Sequence, residues 1–114
     1  MNADDFRKMA LAYPQAVESA HMNHPDFRVN GKIFATLGRP DENRGMVKLT
    51  PEQQRSFELE FPGVFHPCSG AWGRGGATFI ELASAKKSVV RAALDCAFQN
   101  ATAKVTKKQK AGSN

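Results

Sequence analysis

The sequence predicts an α+β fold, a two-layer sandwich of about three helices on a mostly antiparallel sheet, and three observations carry that prediction. An Asn30-Gly31 pair separates two alternating apolar runs, as in a type I′ hairpin turn, whose two central residues need positive φ. The extended segments follow one another through short connections, which suits antiparallel pairing. Three segments carry apolar residues at helical spacing and need a sheet face to cover their stripes. The expected order is α-β(3-4)-α-β(2)-α.

Residues 4–12 predict the first helix, with Phe6, Met9, Ala10 and Tyr13 at helical spacing, Asp4 and Asp5 at its positive end, and Pro14 as its stop. Residues 16–22 alternate weakly as a first strand leading into His24-Pro25. Residues 27–29 and 32–37 then form the hairpin, whose turn sets Val29 opposite Lys32, Arg28 opposite Ile33 and Phe27 opposite Phe34. A polar loop with Pro40 spans 38–44, and 45–49 is the next strand.

Thr50, Pro51 and Gln53 mark the second helix, because Thr-x-x-Gln is a capping box and proline suits the first helical position. It runs to about Glu60, burying Phe57 and Phe61, and Pro62-Gly63 ends it. Residues 64–68 supply a short extended piece, 70–76 read as a glycine-rich loop around Trp72, and 78–82 as a strand. Ser84 is the expected cap of a last helix whose stripe is Val90, Ala93, Leu94, Ala97 and Phe98, with Lys87, Arg91 and Asp95 outward.

A chain of 114 residues, 41% hydrophobic and 24% charged, fits one globular domain, here 1–103, followed by a lysine-rich tail, 104–114, expected to be disordered. No apolar run approaches a membrane span, and the acidic start lacks the pattern of a secretory signal, so residence in the cytoplasm is the expectation. Cys68 and Cys96, widely spaced, suggest reduced thiols. The net charge of +5 is unevenly spread: residues 1–83 hold nine Lys or Arg against ten acids, whereas 84–114 hold seven against Asp95 alone. The basic character therefore belongs to the last helix and tail, where a solubilising end is the plainer explanation.

The runs HPDFRVNGKIFATL and VKLTPEQQ, the segment Phe65 to Pro67, and WGRGGATFIEL before a C-terminal helix resemble the MmcQ/YjbR-like family of small bacterial proteins, over roughly residues 4 to 100. The resemblance implies an α+β fold of the type shared with bacterial type III secretion chaperones, and a DNA-binding role through a double-wing motif. It implies no catalytic residue. The lysine-rich tail after Lys104 lies outside the family pattern.

Pleat alternation puts Ile33, Ala35, Leu37, Val47, Leu49, Ile80 and Leu82 on one aliphatic face, and Phe27, Phe34, Phe79, Lys32, Lys48, Met46 and Glu81 on the other. An open second face would stack bases and contact phosphates. It would serve equally as a dimer interface. The sequence favours a third arrangement, phenylalanines in the core with lysines snorkelling from its rim, because three exposed rings on a monomer are a liability. Trp72-Gly73-Arg74-Gly75-Gly76 lets backbone approach a ligand while Arg74 offers a fork for phosphate, but it lacks the Gly-Lys-Ser/Thr ending of a P-loop. A tight turn pinned by Trp72 explains the same glycines and is the favoured reading.

His21 and His24, with His66 and Cys68, contain metal-ligand types, but three-residue spacing on a strand does not align the imidazoles. Ser69 lies outside a nucleophile elbow, neither cysteine has a motif-linked base, and the acids are scattered. The expectation is thus a non-enzymatic domain, without cofactor or metal, that binds DNA or another nucleic acid through Arg28, Lys32, Lys48, Trp72 and Arg74. The rival expectation is a protein-interaction or chaperone-like module, dimeric or holding a peptide.

Overall fold

Asn30 and Gly31 turn the chain with φ of 54° and 77°, which is the type I′ geometry the pair predicts. In the computed structural model, which describes residues 1–21, 24–38 and 43–103, this hairpin joins β2 (His24–Val29) to β3 (Lys32–Leu37). β1 (Val17–His21) and β4 (Arg44–Lys48) flank them, and β5 (Phe65–Pro67) and β6 (Ala77–Glu81) complete one six-stranded sheet ordered β1-β2-β3-β4-β6-β5. Every pairing is antiparallel. Helices α1 (Ala3–Leu11), α2 (Pro51–Glu60) and α4 (Lys87–Thr102) supply the second layer, and a short α3 (Gly70–Arg74) stands between β5 and β6. Residues 39–42 of the expected polar loop and the tail 104–114 lie outside the described residues.

The hairpin register departs from expectation in one place. Arg28 pairs with Ile33, but Phe27 pairs with Ala35 rather than Phe34, because a bulge leaves Phe34 as an extra residue on β3. Ile33 and Ala35 therefore no longer share a face, and Phe34 turns into the core. There it meets Tyr13 and Phe98 edge-on at 6.0 and 5.6 Å between ring centroids. Phe27 is likewise fully buried, against Phe6. Phe27 and Phe34 thus belong to the main core, as the favoured arrangement expects, and not to an open aromatic face; α1 and α4 cover that core with Phe6, Ala10, Val90, Ala93, Leu94 and Ala97. Phe79 alone stays on the second face, half-buried beside Met46, Cys68 and Ala77, with the Arg44 guanidinium 5.0 Å above its ring.

Three further expectations change. Residues 70–74 are helical instead of a loop, and Gly73 and Gly76 serve close approach of the chain to its own backbone. A Cβ on Gly73 would lie 1.6 Å from the Cys68 carbonyl oxygen, and one on Gly76 1.9 Å from that of Leu49. Trp72 does not pin this segment inward, since 47% of its surface is exposed. Ser84 does not cap α4: it closes a 3₁₀ turn, Leu82–Ser84, which buries Leu82, and the N-cap is Lys86. In α2 the buried residue is Gln54, while Phe57 and Phe61 are half-buried in a cluster with Phe65. The capping box of α2 is present in full, with Thr50 and Gln53 exchanging side-chain-to-backbone bonds of 2.9 and 3.1 Å.

Candidate nucleic-acid interface

Ala35 and Val47 make the last β3–β4 pair on the side of the hairpin tip. Past it, Leu49 is drawn toward β6 by donating its N–H to Gly76 O, and the chain turns into α2, while the hairpin tip continues on its own path. Between the two lies a groove of about 630 Å³, with Arg28, Lys32 and Ile33 on one bank, Lys48 to Pro51 and Gly75 on the other, and Ala97, Asn100 and Ala101 of α4 along it. That volume is within the roughly 300–1,000 Å³ of small-ligand sites. Its lining joins three cations to an apolar floor.

Three of the five residues expected from sequence, Arg28, Lys32 and Lys48, meet at this groove. Trp72 adjoins it through Lys48, whose ammonium lies 5.7 Å from the indole centroid, a cation–π distance. Arg74 is exposed on α3, does not line the groove, and has no hydrogen bond or ion pair among the described residues. Arg28 is held by the fully buried Asp26, through Nε at 2.8 Å and Nη2 at 3.1 Å. That hydrogen-bonded pairing with Asp26 raises the guanidinium's pKa further above its ordinary value and fixes its direction.

Sequence reasoning missed Asn100. Its Nδ2 donates to Lys48 O at 3.1 Å and to Gln53 Oε1 at 2.9 Å, and Gln53 Oε1 also accepts the Thr50 N–H of the capping box. Both neighbours are acceptors, so the amide has one orientation. A polar residue three positions after Ala97, on the stripe that buries Ala97 and Ala101, was the available signal.

The other chemistry-bearing groups lie elsewhere. His66 approaches Glu81 at 3.9 Å, and Glu81 is bound to Arg44 Nε at 2.8 Å. Cys68 is buried, which pushes its thiol up to about 11, and burial likewise raises Cys96. Thiolate chemistry is disfavoured at both. Among the described residues no three His, Cys, Asp or Glu side chains gather as a metal site, and the side chain of His21 lies outside them. No described helix is long and apolar enough to cross a membrane.

These features define a small α+β domain, one antiparallel sheet backed by helices, with a basic groove beside its central hairpin. The YjbR family model matches residues 11–105, and the chain belongs to the YjbR family. Among solved structures it is similar to that of Deinococcus radiodurans protein DR2400, a DUF419 domain, with a TM-score of 0.77 and 17% identity over 96% of this chain and 86% of that one. The likeness is one of fold. No curated protein matches the chain.

Proposed function

We propose that this chain is a nucleic-acid-binding module, not an enzyme, in which Arg28, Lys32, Lys48 and Arg74 contact phosphates and the exposed Trp72 ring stacks on a base. The supporting observation is the groove itself, which gathers three cations separated in sequence and sets Lys48 against the indole. Basic grooves with an aromatic platform suit flexible strands, because phosphate contacts supply affinity and stacking adds about 1–3 kcal/mol per base. α2 offers little to a duplex major groove, since its exposed surface carries Glu52, Glu58 and Glu60 against Arg55.

Trp72 is the sole tryptophan, so its fluorescence reports on the interface. Adding single-stranded oligonucleotide at low salt should quench it, both in the full chain and in a chain lacking residues 104–114. The affinity should fall with salt at a log–log slope of about −2 to −3, as about four phosphate contacts give on single strands. Loss of all binding on removing the tail would leave only non-specific attraction to its lysines and would end this reading. A second reading, a protein-interaction module, rests on β1: it is the outer strand, paired with β2 alone, and Val17 is 56% exposed. Such an edge can accept another strand. Sedimentation equilibrium showing a strict monomer removes the dimeric form of that reading.

A further inference from the structure

We infer that the groove takes an unpaired base and that Asn100 selects bases carrying an exocyclic amino group. The inference rests on the nucleic-acid reading and deepens it. Asn100 lines the groove, and its Nδ2 is spent on Lys48 O and Gln53 Oε1. Its Oδ1 has no partner among the described residues and is not a buried unsatisfied atom, so it stands accessible to solvent. The amide cannot reverse without setting Oδ1 against two acceptor oxygens, one of which is held by the Thr50 N–H. Asn100 therefore presents an acceptor only.

The surroundings favour a base over a bare phosphate at that point. Ile33 and Pro51, with the edges of Leu49 and Ala101, give an apolar bed, while Lys32 and Lys48 stand on the two banks, where a sugar-phosphate backbone would run. The amides at the start of α2 do not provide a ready anion site, because Thr50 N–H and Gln53 N–H are consumed by the capping box. A base placed against Asn100 gains a hydrogen bond if it offers an amino N–H, as cytosine does at N4. Uracil presents a carbonyl oxygen at that position, where two acceptors would face each other, and it reaches Asn100 with its N3–H only by shifting out of the placement that cytosine takes. A duplex still offers one hydrogen of that amino group in its major groove, so the preference for a single strand rests on the apolar bed, which takes the face of an unstacked base.

The test is fluorescence anisotropy on the full chain with oligo-dC and oligo-dU of about 12 nucleotides, within the site sizes single-strand binders span. Oligo-dC should bind about fivefold more tightly, what one hydrogen bond gives. The ratio should fall to about one in Asn100→Ala, whatever happens to overall affinity through loss of the brace on Lys48. Oligo-dC dimethylated at N4 probes the intact chain without any substitution and should bind no better than oligo-dU. Equal binding of dC and dU by the intact chain, or a ratio that survives in Asn100→Ala, overturns the assignment of Asn100 while leaving nucleic-acid binding in place. Absence of binding to every oligonucleotide overturns both.

Discussion

A single added methyl group separates the glycines that shape a turn from those that let backbones touch. Gly31 has φ of 77° with open space around its missing side chain, whereas Gly76, at φ of 115°, would put a Cβ 1.9 Å from Leu49 O. Gly31→Ala should therefore cost about 1–2 kcal/mol, the strain of a left-handed residue alone. Gly76→Ala should cost more than about 3 kcal/mol, because strain adds to a clash with backbone that also closes the Leu49–Gly76 hydrogen bond. Urea midpoints of the two variants check the difference; equal losses would mean that the contact at Gly76 relaxes freely. At this scale the sequence exposes glycine's freedom but not its use. The same five letters, Trp-Gly-Arg-Gly-Gly, are compatible with ligand approach and with the self-contact found here.

Among the elements, α2 was the most legible and also the most misjudged. Its start is written in Thr50, Pro51 and Gln53, because a capping box satisfies orphan amides using residues adjacent in sequence. Its inward side is not, since the buried residue is Gln54, whose Nε2 donates to Gly73 O, Ala77 O and Thr78 Oγ1 at 3.0 to 3.1 Å. A polar side chain in the middle of a polar helix gives no sign of partners about twenty positions onward. Gln54→Ala should cost about 2–3 kcal/mol in urea unfolding, because it strips buried carbonyls of their donor, and the loss should be accompanied by a change in Trp72 fluorescence on the adjoining α3. A variant as stable as the parent would show that water replaces the amide. For α4 the stripe was legible and the cap was not: Ser84 has capping chemistry, but the 3₁₀ turn that buries Leu82 delays the helix to Lys87. Likewise β3 was correctly bounded, yet its bulge at Phe34 was invisible, because the rings that Phe34 meets come from Tyr13, just past α1, and from Phe98 on α4.

The whole molecule shares one alkaline weakness. Tyr13 joins the end of α1 to α4 by donating its hydroxyl to Asp95 while its ring stacks on Phe98, and burial with the nearby carboxylate raises its pKa. Cys68, raised to about 11 by burial, lies in the small cluster on the opposite face. In the unfolded chain these groups release their protons near pH 10 and pH 9, respectively, while the folded protein retains them, so folding stability is intact below about pH 9 and falls above it. The urea midpoint should drop between about pH 9 and 11. Cys68→Ala should flatten the lower part of that drop and Tyr13→Phe the part above about pH 10; unchanged profiles in both variants would refute this account. By itself the sequence determined the α+β class, the positive-φ turn, the capped start of α2 and the apolar stripe of α4, because each depends on residues within a few positions of one another. Only tertiary structure decided which phenylalanines are buried, that Arg28, Lys32 and Lys48 share a groove, and that Asn100 joins them there with its amide nitrogen bonded to Lys48 O and Gln53 Oε1. Those outcomes depend on side chains meeting across the sheet and between its layers, where packing and hydrogen bonding compete over distances that local pattern does not record.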